Sequence, residues 1–76
     1  MKAPVVSGKD MIRYLSERGF DIVGRKGSHV RMKKLAEPRN LIVIIPDHKE
    51  LAQGTLRSIL RQAGITFEEF VREREK

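Results

Sequence analysis

Apolar residues recur along this chain with two different periods, and each period marks out a different kind of element. Met11, Ile12 and Leu15 fall at helical spacing, with Arg13, Glu17 and Arg18 turned to solvent. Ser7-Gly8-Lys9-Asp10 just before them reads as a helix start: a Ser cap with a carboxylate three residues on, which suits the positive end of the helix dipole. Gly19 stands where such a helix would end in a left-handed turn, so a first helix is predicted over about residues 8–18. The period then drops to two. Phe20 to Arg25 reads as a short strand, Lys26-Gly27-Ser28 as a turn, and His29 to Lys33 as a strictly alternating strand. In that strand Val30 and Met32 point one way, while His29, Arg31 and Lys33 point the other. Leu35 to Asn40, which includes Pro38, is a loop. Leu41 to Ile45 is an unbroken apolar run rich in β-branched residues, predicted to be the most buried strand and ended by Pro46.

Pro46 to Gly54 is a polar connection carrying Asp47, His48, Lys49 and Glu50. Beyond it Leu56, Ile59, Leu60 and Ala63 form a helical stripe that stops at Gly64. Thr66-Phe67-Glu68-Glu69 is a second capping signature, and Phe70 and Val71 anchor a short last helix, after which Arg72 to Lys76 is predicted to fray. The order is helix, three strands, helix, short helix. That predicts an α+β fold of α-β-β-β-α order, one domain over residues 1–76, with a three-stranded antiparallel meander and its helices packed on one face.

Composition narrows what such a domain can do. A chain of 76 residues buries only about 60% of its unfolded surface, and three Phe, one Tyr and no Trp make the core mostly aliphatic. An internal substrate cavity has no room, so any chemistry belongs on an exposed face. With no Cys there is neither a disulfide framework nor a zinc–thiolate site. Met1 to Gly8 hold no apolar stretch suited to a signal peptide and no segment suits a membrane span, so the expected setting is cytoplasmic. Sixteen Lys and Arg against ten Asp and Glu give a net charge of +6, a dense positive field that favours polyanions.

His29 is the most informative residue. It follows a Gly-Ser turn and shares a strand face with Arg31 and Lys33. There a neutral imidazole can take a proton from a ribose 2′-hydroxyl while the cations hold the phosphate, and Ser28 with the turn amides can bind a phosphate oxygen. By spacing alone, a surface histidine in a basic strand is the simpler account. His48 is open in the same way between a general acid, a phosphate contact and a polar loop residue. The two His with Asp47 and Glu50 match no metal-ligand spacing, so neither a metal nor another cofactor is expected. Lys9, Lys26, Arg31, Lys33, Lys34, Arg39 and Lys49 supply most of the positive charge outside the last two helices. Few aromatics accompany them, which predicts backbone tracking with little base stacking. Leu56 to Phe70 has the outline of a helix-turn-helix, but its second helix carries Glu68, Glu69 and Glu73 and would repel DNA.

Taken in order, Ser7-Gly8-Lys9, Gly19-Phe20, Gly27-Ser28-His29, Pro46-Asp47-His48, Gly54-Thr55-Leu56 and Ile59 to Ile65 resemble the HicA family of mRNA interferases. The resemblance runs from Ser7 to about Phe70. It implies a fold like that of double-stranded-RNA-binding domains and a ribosome-independent endoribonuclease acting as the toxin of a toxin–antitoxin pair; with no ligand cluster in the sequence, that enzyme is expected to be metal-independent. It also implies mRNA as substrate and a HicB-type antitoxin as partner, with DNA reached only through the antitoxin. The family's catalytic histidine corresponds to His29, with Gly27 and Ser28 in supporting positions. Lys9, Lys26, Gly27, Ser28, Arg31, Lys33 and His48 are the expected RNA contacts. A non-catalytic RNA-binding module on the same basic face is the chief rival, and a pure protein-interaction subunit the third reading.

Overall fold

In the computed structural model, residues 5–74 form helix α1 (Gly8–Glu17), strands β1 (Asp21–Lys26), β2 (His29–Lys34) and β3 (Leu41–Pro46), and helices α2 (Gln53–Ala63) and α3 (Phe67–Arg74). Met1 to Pro4, Glu75 and Lys76 lie outside the described residues. The α1 start has both halves of a capping box: the Ser7 hydroxyl accepts from the Asp10 amide, and the Asp10 carboxylate accepts from the Ser7 amide. Both long helices end alike. Phe20 and Gly19 amides return to the carbonyls of Leu15 and Ser16, and Ile65 and Gly64 amides to those of Leu60 and Arg61, the paired bonds of a Schellman motif.

The sheet is an antiparallel meander in the order β1-β2-β3. Val30, Met32, Val43 and Ile45 face the helices and, with Met11, Leu15, Phe20, Leu56, Ile59, Leu60 and Phe70, make a core from which polar side chains are absent. The other face of the sheet is open, and it positions the site. Among the described residues no helix is long and apolar enough to cross a membrane.

Four expectations need correction. The apolar run Leu41–Ile45 is not the most buried strand but an edge strand buried on one face, with Ile42 and Ile44 still 45% and 41% exposed. Its β-branched residues reflect strand propensity, and only every second one is needed by a core on one side of an antiparallel sheet. Arg18 is not turned to solvent: it bridges Glu69 and Glu73 of α3. Through that bridge the segment predicted to fray stays helical as far as Arg74, and Phe70 packs edge-on to Tyr14 at 4.9 Å. The second capping box is half formed. The Thr66 hydroxyl accepts from the Glu69 amide, but the Glu69 carboxylate goes to Arg18.

β1 also contains a bulge that periodicity did not indicate. Ile22 pairs with Met32 and Gly24 with Arg31, leaving Val23 as the extra residue. A strict alternation from Asp21 would turn Lys26 toward the helices. The bulge resets the count, so Lys26 pairs with His29 and lies on the open face.

Candidate nucleic-acid interface and active site

His29 owes its position to the tightest turn in the molecule. Lys26 and His29 are paired residues, so β1 and β2 are joined by Gly27 and Ser28 alone. Gly27 has φ +58° and Ser28 is not at positive φ, the arrangement of a type II′ hairpin turn with glycine at its first central position. That turn delivers His29 as the first residue of the central strand, exposed on the open face. Directly opposed residues share a face, so His29 is flanked by Lys26 on β1 and Pro46 on β3, and Arg31 by Gly24 and Ile44.

These side chains line a shallow concavity of about 410 Å³ formed by Val23, Gly24, Arg25, Lys26, His29, Arg31 and Ile44. Lys26 and Arg31 share the open face with His29, Arg25 reaches the rim from the other side of β1, where it is paired with Val30, and Val23 and Ile44 supply apolar walls. The Phe and Tyr side chains lie elsewhere, in or against the core, so the face offers no aromatic platform. A second concavity of about 360 Å³ is lined by Ser7, Lys9, Asp47, His48 and Lys49. Both are at the small end of ligand sites, for which about 300–1,000 Å³ is usual.

Backbone bonds fix the two concavities to each other. The Asp47 amide donates to the Ser28 carbonyl at 2.6 Å, extending the β2–β3 ladder into the turn. The Gly8 amide donates to the His48 carbonyl at 2.8 Å, and the Leu51 amide to the Val6 carbonyl at 2.7 Å. The approach of α1 is so close that a β-carbon on Gly8 would lie 2.2 Å from the Pro46 carbonyl oxygen. Between the concavities, the Arg25 guanidinium pairs with the Asp47 carboxylate at 3.4 Å.

The structure therefore brings Lys26, His29 and Arg31 into one concavity, with Gly27 and Ser28 as the turn that joins the first two, and places Lys9 and His48 in a separate hollow. It leaves Lys33 apart. Lys33 is half-buried near the far end of β2, opposite Asp21 and about 13 Å along the strand from His29. Arg25 and Asp47 are the neighbours that sequence reasoning did not single out for the RNA face, whereas Lys49 is among the basic residues expected to track the backbone. Arg25 is one of several arginines in the chain, and only its ion pair with Asp47, 22 positions away, sets it apart. Among the described residues, no three His, Asp or Glu side chains converge as metal ligands would.

The family model for the HicA toxin of bacterial toxin–antitoxin systems aligns with residues 8–65. No curated protein and no solved structure matches. The matched span runs from the first residue of α1 to the residue after the α2 cap, and so takes in all three strands, the first concavity and all of the second but Ser7. The chain belongs to the HicA family, the toxins of bacterial toxin–antitoxin systems.

Proposed function

We propose that this protein is a metal-independent endoribonuclease that cleaves mRNA, with His29 as general base. The observation that carries the reading is the exposed imidazole set at the mouth of a type II′ turn among Lys26, Arg31 and Arg25. The cations draw in the phosphodiester and stabilise charge that develops on its oxygens, while His29 removes the 2′-hydroxyl proton. Attack of that oxygen on phosphorus breaks the bond to the 5′-oxygen of the next nucleotide, which leaves and takes up a proton from water. The products are a 2′,3′-cyclic phosphate and a 5′-hydroxyl. Gly27 holds the turn, Ser28 and the turn amides contact phosphate oxygens, and Lys9, Lys33 and His48 extend the basic track. The neutralising partner is a HicB-type antitoxin that covers the open sheet face.

Replacing a positioned base costs about 2–4 orders of magnitude in rate. His29→Ala is therefore expected to lose cleavage to that extent while keeping its circular dichroism spectrum and most of its RNA affinity. Cleavage by the parent protein is expected to persist in EDTA, because no ligand cluster is available among the described residues. Cleavage retained by a folded His29→Ala protein removes His29 from the mechanism. Loss in EDTA with recovery on adding one divalent ion replaces proton transfer by metal chemistry.

A further inference from the structure

We infer that the second concavity, lined by Ser7, Lys9, His48 and Lys49, is a binding subsite for the RNA phosphate flanking the scissile one. The inference rests on the RNA-cleaving reading above and assigns His48 to substrate positioning rather than to proton transfer.

The two histidines do not share a hollow. His29 lies with Lys26, Arg25 and Arg31, and His48 with Lys9 and Lys49, so each has its own pair or trio of cations. A general acid for the leaving oxygen would have to reach the same phosphorus as His29. The Arg25–Asp47 ion pair has one partner lining each hollow, so it joins the rims of two separate sites, and nothing in the geometry brings the two imidazoles to one of them. Asp47 also lines the second hollow, but Arg25 offsets its charge. What remains is two exposed lysines, one imidazole and a serine, a set of donors suited to an anion.

The spacing suits one strand of RNA. His29 pairs with Pro46, which places their α-carbons about 5 Å apart, and His48 is two residues further on, at most about 8 Å of chain. That is the distance over which a single strand passes from one phosphate to the next or the next but one. The separation is also fixed, because the Ser28–Asp47 and Gly8–His48 backbone bonds tie turn, strand exit and helix start into one unit. A pre-set second contact selects the register of the strand before chemistry begins, which is how remote binding energy orients a reacting group.

The test pairs changes in protein and RNA. In a His29→Ala background, binding is measured to short 2′-O-methyl RNAs, long enough for one register only, each with a single phosphate made neutral as a methylphosphonate. Lys49→Gln and Arg31→Gln are compared with Arg72→Gln, an equal loss of charge on the exposed side of α3. Neutralising a contacted phosphate is expected to weaken binding by about threefold to tenfold, and that penalty vanishes when its protein partner is already gone. Lys49→Gln and Arg31→Gln are expected to erase the penalty at two different phosphates, one or two nucleotides apart, while Arg72→Gln erases none. The Lys49 change also lowers the log–log salt slope by about 0.7. Erasure at the same phosphate by both variants, or no erasure by Lys49→Gln, overturns the subsite. Because the RNA cannot be cleaved, these outcomes stand apart from failure of the catalytic reading, which shows instead as an absence of products from all-ribose RNA with the parent protein.

Discussion

Two glycines illustrate how the same residue is required for different reasons, and how little of that is visible in a sequence. Gly8 lies in helix α1, where alanine has the higher propensity, yet a β-carbon there would collide with the Pro46 carbonyl at 2.2 Å. Gly54 lies in the first turn of α2 with nothing within 4 Å. Gly8→Ala is expected to destabilise by about 1–3 kcal/mol, as overpacking usually does, and to lower Tm by several degrees. Gly54→Ala is expected to be neutral or to stabilise by up to about 1 kcal/mol. Urea denaturation of both decides the matter, and equal effects from the two would show that the α1 contact is dispensable. At this scale the sequence revealed the helix start at Ser7 but not why the next residue is glycine. The reason lies in a partner almost forty positions away. His29 is similar: spacing placed it on an exposed basic strand, and only the ordered set of motifs raised it above an ordinary surface histidine.

Elements were legible wherever their signals were local. The capping box at Ser7, the glycines after both long helices and the Gly-Ser turn are written within a few residues of each other, and each formed as read. What escaped was whatever depends on a second element. The bulge at Val23 is defined only by its pairing with β2, and the engagement of Arg18 only by α3. An edge strand and a central one can share one composition, so Leu41–Ile45 did not declare its neighbours. Acid provides a test of the α1 start. The backbone bond from Ser7 holds the Asp10 carboxyl below its usual pKa, with further help from the Ser7 hydroxyl and from Arg74 and Arg13, against some burial. A lowered folded pKa stabilises at every pH above the ordinary carboxylate value of about 3.9, and the benefit disappears as the pH falls through the lowered one. Asp10→Asn is therefore expected to be less stable than the parent near neutrality, by about 0.3–1 kcal/mol. The two are expected to converge toward pH 2. A gap that persists in acid would assign the effect to packing. At the other end of α1, burial and the bond to Glu73 raise the pKa of the Tyr14 phenol, which keeps it a donor in the α1–α3 contact throughout the physiological range.

Across the whole molecule, charge and apolar surface are arranged by face. The helices share one core with β2 and β3, while β1 is exposed throughout, and the open side of the sheet sets His29, Arg31 and Lys33 against Pro46, Ile44 and Ile42. Cations beside exposed isoleucines suit a protein partner with carboxylates and a small apolar surface as well as they suit RNA. If the antitoxin acts by covering this face, amide hydrogen exchange of the complex is expected to slow at Lys26–Arg31 and Asp47–Lys49. Slowing confined to α1, α2 and α3 would point to an indirect mechanism. The overall order of elements was legible because a meander joins neighbours in sequence. The division of the basic surface into two hollows was not, because it arises where three distant segments meet.

That meeting has a kinetic side. The hydrogen bond between Gly8 and His48 closes a loop over most of the sheet, whereas the Gly27–Ser28 turn closes one of a few residues. By length alone the longer closure costs about 2 kcal/mol more in chain entropy, so the hairpin is the earlier event and the helix-to-loop seam the later one. A contact made after the barrier slows escape from the native state without hastening arrival. If this seam forms after the barrier, Gly8→Ala is expected to unfold faster at an unchanged folding rate, and stopped-flow unfolding and refolding of the variant decide it; an equal loss in the folding rate would place the seam in the nucleus.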